Sequence, residues 1–161
     1  MNAVEERYAD FILLHMKLEH ALVRMGYGRF DAKNRIIGVK WDDVAKKLKA
    51  TKKTLKDLPG EIYCILVCNP PKSLESVEYT LKWADNNRPS SWQGFFRGSY
   101  LILRNNIAHG NKLLQDQNSN AGRNSELLDA GIKFIGWMQE NFPSIDSEPS
   151  LKKNMGDITF D

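Results

Sequence analysis

The stretch SWQGFFRGSYLILRNNIAHG, residues 91–110, constrains the fold more than any other part of the chain. On a helix at about 100° per residue, Trp92, Phe95, Phe96, Tyr100, Ile102, Leu103 and Ile107 fill one broad apolar arc. An arc that wide must be covered by other elements, so this helix predicts a packed core. The opposite arc carries Gly94, Arg97, Gly98, Leu101, Arg104, Asn105, Ala108 and His109. An ordinary solvent face would carry Glu and Lys. Here small residues, which let a second helix approach, alternate with groups able to handle a phosphate. Each glycine costs roughly 1 kcal/mol of helix stability relative to Ala, so the pair is expected to permit something.

The other segments are predicted from the same periodicity. Residues 4–25 carry Tyr8, Phe11, Ile12, Leu18, Ala21, Leu22 and Met25 at three- and four-residue steps, and Gly26 and Gly28 stop that helix. GYGRFDAKNRIIGVK has no such period and reads as a loop with a short extended piece at Ile36–Val39. Asp42 or Asp43 then starts a second helix, WDDVAKKLKA, its acid suited to free N-terminal amides. LPGEIYCILVCNPP reads as a short buried helix over 59–68, ended by Pro70 and Pro71. LESVEYTLKWADNNRPSS reads as loop with a helical turn over 74–83, and a last helix spans about 125–141. The expectation is an all-α bundle of four to five helices with long loops over residues 1–142, followed by a polar tail over 143–161.

Composition narrows the function classes. With 161 residues, 42% hydrophobic and 27% charged, the chain suits one ordinary domain, neither disordered nor collagen-like. It lacks an apolar run long enough for a membrane span, and MNAVEERYAD has charges where a signal peptide needs an apolar core. Two cysteines make no disulfide framework, so a cytoplasmic setting is expected. The net charge of +3 is mild, but nine basic residues between Lys33 and Lys56 are opposed only by Asp42 and Asp43. Within that span Lys46, Lys47 and Lys49 are candidate phosphate contacts, beside Arg97 and Lys112 elsewhere; a solvated helix face is the plainer account.

Arg104, Asn105 and His109 have a coherent chemistry. Histidine moves protons near neutral pH, arginine grips phosphate through paired hydrogen bonds, and asparagine positions a hydroxyl or water. Attack of an RNA 2′-hydroxyl on its own phosphorus needs a proton acceptor, a proton donor and a cation, and no metal. Arg104 and His109 lie about 140° apart on an ideal helix. They converge only if the helix ends at His109, which Gly110 favours, or if a second subunit supplies the missing group. A simple helix cap at His109 and Gly110 is the competing account.

RNNIAHGNK resembles the signature of the HEPN superfamily (higher eukaryotes and prokaryotes nucleotide-binding domain), an Arg followed four to six residues later by His. LEHALVRMGYG, VKWDDVAKKL and LVCNPPKSLES, where NPPK precedes a loop holding Trp83, are similar to further blocks of one bacterial branch. The resemblance spans residues 11–142. It implies a helical bundle, a two-fold homodimer with both motifs facing one cleft, and catalytic roles for Arg104 and His109 with Asn105 as polar helper. The small-residue stripe of the same helix places the expected dimer interface on Gly94, Gly98, Leu101 and Ala108. Many such proteins are metal-independent ribonucleases of toxin–antitoxin, phage-defence or RNA-processing systems; others are catalytically silent modules that bind nucleic acid, nucleotide or protein. Toxins controlled by a nucleotidyltransferase antitoxin often carry Tyr two residues after the His, where this chain has Asn111, which argues against that mode of control.

Other candidate sites are weaker. His15, Glu19 and His20 read H-x3-E-H, one residue too long for an inverted zinc motif, and His15 with Glu19 fits a helix salt bridge better. Cys64 and Cys68 read as buried small hydrophobes. The tryptophans read as core, with Trp92 the one candidate for base stacking. No cofactor or metal is expected. The sequence therefore leaves two classes: a stand-alone RNA-cleaving enzyme with an antitoxin partner or defence role, or a silent binding module. RNA and a second copy are the expected partners, with no membrane.

Overall fold

The helix expected over 91–109 forms from Ser91 onward, whose Oγ accepts a hydrogen bond from the Gly94 N–H at 3.1 Å. It runs as α4 (Trp92–Phe95), a π-helical turn (Phe96–Tyr100) and α5 (Leu101–Ala108), without a break in helical backbone. The computed structural model of the 161-residue chain describes residues 3–109 and 121–143. The tail expected over 143–161 therefore lies, beyond Pro143, outside the described residues.

Around this helix pack α1 (Ala3–Leu22), α2 (Trp41–Ala50), the short α3 (Gly60–Ile62) with its π-helical continuation Tyr63–Val67, and α6 (Ala121–Asn141). The core is aromatic. Tyr100 and Phe95 each place their ring 4.9 Å from that of Phe134, and Trp92 stacks on Trp137 at 5.4 Å. Phe11 from α1 joins this cluster against Tyr100. Gly131 lets α6 come this close: a Cβ there would lie 2.6 Å from Phe11 Cε2 and 2.9 Å from Leu103 Cδ2.

The all-α expectation is overturned by two antiparallel hairpins, which make the fold mixed α and β with helix predominant. In the first, β1 (Gly28–Phe30) pairs with β2 (Ile36–Val39), Gly28 opposite Val39, where a loop with one short extended piece is the sequence's reading. In the second, β3 (Ser73–Val77) pairs with β4 (Thr80–Ala84), replacing the helical turn expected over 74–83. The physical reason lies in burial. Both hairpins are largely solvent-facing, so no apolar alternation marks one side. Their turns also lack the Asn-Gly or Asp-Gly signal. Glu78 and Tyr79 take the two left-handed positions themselves, at φ 50° and 65°.

Smaller corrections follow from packing. Lys40, not Asp42 or Asp43, caps α2; the two acids sit in its first turn. Cys64 is exposed and Cys68 half-buried, because only Ile62, Leu66 and Val67 of that segment turn inward. Ile102 is half-exposed, while Ser99 and Asn106 take places on the buried arc of α4–α5.

Candidate functional site

Arg104 lies on the outer arc of α5 with about a third of its side chain exposed. Its Nη2 is 3.7 Å from Glu19 Oε1 on α1. The same Glu19 oxygen is 2.8 Å from His15 Nε2, and His15 Nδ1 is 2.7 Å from the Tyr100 hydroxyl. An ionised carboxylate only accepts, so Nε2 carries the hydrogen of that bond. The result is a polar chain from the aromatic core to the surface: Tyr100, His15, Glu19, Arg104. Tyr100 is fully buried and His15 nearly so.

Charge settles along this chain. Burial pushes the Glu19 carboxyl up, but the His15 hydrogen bond, the charge of His15 and that of Arg104 outweigh it, holding it below the ordinary carboxylate value. The Tyr100 hydroxyl goes the other way: burial, reinforced by Glu19 and partly offset by Arg104, raises it well above its usual value, so it stays protonated.

Asn105 is half-buried next to Arg104. His109 is exposed and is the C-cap of α5, at φ −90° and ψ 4°, its N–H bonded to the Asn105 carbonyl at 3.0 Å. Among the described residues no hydrogen bond joins the Arg104 and His109 side chains, in keeping with their angular separation. Gly110 and Asn111 lie outside the described residues, as does Lys112.

The expected interface stripe is heterogeneous. Gly98 faces open space among the described residues, since a Cβ there would meet none of them within 4 Å. Gly94 has a reason within its own chain, because a Cβ would press on Ser91 Oγ at 3.3 Å. Leu101 is half-buried and Ala108 exposed.

The basic residues divide. Arg97 is engaged by Asp42 through two hydrogen bonds, Nε to Oδ1 at 3.0 Å and Nη2 to Oδ2. That contact chiefly holds the Asp42 carboxyl below its usual range. A cleft of about 480 Å³ beside this pair is lined by Arg29, Lys40, Trp41, Asp43 and Leu101 as well. A second cleft of about 480 Å³, between α2 and the start of α4, is lined by Lys46, Lys49, Lys53, Thr54, Ser90 and Ser91. Lys47 is exposed but lines neither cleft. Trp92 is buried and donates its indole N–H to the Lys53 carbonyl at 2.8 Å, so it is a wall of the fold and not a stacking platform.

Two residues of this region carry little signal in the sequence. Asn106, buried, donates to the Lys72 carbonyl at 2.8 Å and pins the NPPK loop to α5. Its signal is a polar residue on an apolar arc. Glu19 attracts attention in the sequence only as a ligand or partner of His15; its nearness to Arg104 depends on how α1 meets α5. His15 is buried while His20 is exposed, so the two rings do not share a site. Among the described residues no cluster of three His, Cys, Asp or Glu side chains could hold a metal, and no helix is long and apolar enough to cross a membrane. Comparison with models of known families, with characterised proteins and with solved structures gave no match.

Proposed function

We propose that this chain is a metal-independent endoribonuclease of HEPN type, acting as a toxin or phage-defence nuclease. The observation that carries the proposal is Arg104. It is an arginine with about a third of its side chain exposed, on an arc shared with Asn105 and His109, and it donates no hydrogen bond to any described residue. In the proposed reaction the 2′-oxygen attacks phosphorus, the bond to the 5′-oxygen breaks, and a 2′,3′-cyclic phosphate and a 5′-hydroxyl result. His109 takes the proton of the attacking hydroxyl, and the His109 of a second copy, across a shared cleft, gives one to the leaving oxygen. Arg104 neutralises the crowded charge on the phosphoryl oxygens, and Asn105 orients the hydroxyl.

The open space at Gly98 supports a second copy approaching α4–α5. Lys46 and Lys49, lining one cleft, would follow the RNA backbone without reading bases. Asp42 leaves Arg97 a smaller part in this. An antitoxin protein as partner and a cytoplasmic location belong to the same proposal. The test is incubation of the purified protein with mixed RNAs in EDTA, with the products' termini identified.

One observation favours a second reading. Arg104 and His109 are not joined within one chain, so a chain that never dimerises would be a silent module that binds RNA without cutting it. Tight binding without cleavage is its signature.

A further inference from the structure

We propose that Glu19 is the positioning residue for Arg104, held in turn by His15 and Tyr100. The inference rests on the functional reading of Arg104 as the phosphate-binding cation. Three observations support it. First, Glu19 is fixed from behind: its Oε1 meets His15 Nε2 at 2.8 Å, and His15 meets the Tyr100 hydroxyl at 2.7 Å. His15 is further clamped between aromatic rings, stacked on Phe11 at 6.1 Å and on Trp41 at 6.0 Å. A carboxylate so anchored offers a fixed point charge, unlike a surface Glu free to change rotamer.

Second, the contact from Glu19 to Arg104 is an ion pair at 3.7 Å, too long for a hydrogen bond. Glu19 therefore orients the guanidinium by charge while consuming none of its donors. Arginine has five N–H groups, and none is donated to a described residue. With Nε itself buried, the terminal Nη1 and Nη2 nitrogens are the pair left for two phosphoryl oxygens, the geometry arginine is suited to.

Third, Arg104 Nε is buried and has no hydrogen-bond partner among the described residues. A buried donor without a partner is costly, so the surroundings impose this placement of the side chain. Glu19 is the carboxylate beside it. A Glu19 that merely competed with phosphate for Arg104 would instead restrain activity, and removing it would increase the rate.

The test uses the full-length protein and the variants Glu19→Gln and Arg104→Ala, singly and together. In single-turnover cleavage of RNA, Glu19→Gln should lower kcat by about 10²-fold with little change in KM, the scale of a misplaced catalytic group. It should have no further effect in the Arg104→Ala background, because the two act as a unit. A higher rate in Glu19→Gln, or an equal loss with and without Arg104, overturns the proposal. A second readout does not depend on cleavage: the Nε–H resonance of Arg104, assigned by its disappearance in Arg104→Ala, should shift and broaden in Glu19→Gln. An unchanged resonance also overturns the positioning role. Failure of the wild type to cut RNA would overturn the functional reading instead, with the resonance still deciding whether Glu19 positions Arg104.

Discussion

Arg104 on α5 and Glu19 on α1 face each other at 3.7 Å, and through Glu19 the exposed end of the long helix is tied to the buried His15 and Tyr100. The candidate site is thus built on the packing of two helices rather than on one motif.

That tie depends on pH in a defined direction. Glu19 is ionised in the folded chain with its pKa below the ordinary value of 4.5, facing His15 on its own helix and Arg104 and Tyr100 on the long one. A lowered carboxyl stabilises the fold fully above its unfolded value, and that stabilisation is lost as pH falls through the lowered one. The stability difference between wild type and Glu19→Gln should be steady near neutrality and shrink below pH 4.5. Thermal unfolding across that range measures it, and a difference that grows on acidification contradicts the assignment.

Gly98 and Gly131 should separate interface from core. Gly131→Ala forces a Cβ into Phe11 and Leu103 and should cost about 1–3 kcal/mol in urea unfolding. A Cβ at Gly98 would meet nothing within 4 Å among the described residues, so in Gly98→Leu folding should survive while light scattering shows weaker self-association and cleavage falls with it. An undiminished dimer in Gly98→Leu removes α4–α5 from the two-fold axis.

The lysines on α2 should not be equivalent. Lys46→Gln with Lys49→Gln should weaken RNA binding and flatten its salt dependence by about 0.7 per lost phosphate contact, the single-strand value. Lys47→Gln, outside the cleft, should change neither. Equal effects at all three positions would return the segment to a uniformly solvated face.

Helices were legible where an apolar arc had a core to face, as in Trp92, Phe95, Phe96, Tyr100, Leu103 and Ile107. Of the hairpins only the extended piece at Ile36–Val39 was legible, because Phe30, Val77 and Leu81 sit on exposed strands and the left-handed turn residues Glu78 and Tyr79 are atypical. For the site, the sequence supplied Arg104, Asn105 and His109 as residue types on one arc. It supplied Glu19 only as the partner of His15, and could not show its pairing with Arg104, 85 positions away, which is set by how α1 crosses the long helix. Nor could it show that Asp42 engages Arg97, a contact between α2 and the π-helical turn.

RNA cleavage by Arg104 and His109 underlies the proposed function. Its most direct measurement is the rate at which the purified protein cuts RNA in EDTA, compared with Arg104→Ala, His109→Ala and a substrate carrying a 2′-deoxy sugar at the cut. Wild-type cleavage should leave a 2′,3′-cyclic phosphate or its 3′-phosphate hydrolysis product. Each substitution should lower the rate by about 10²-fold or more with folding retained, and the deoxy substrate should not be cut. Cleavage that persists in His109→Ala and on the deoxy substrate, or a wild type that binds RNA and never cuts it, would contradict the account.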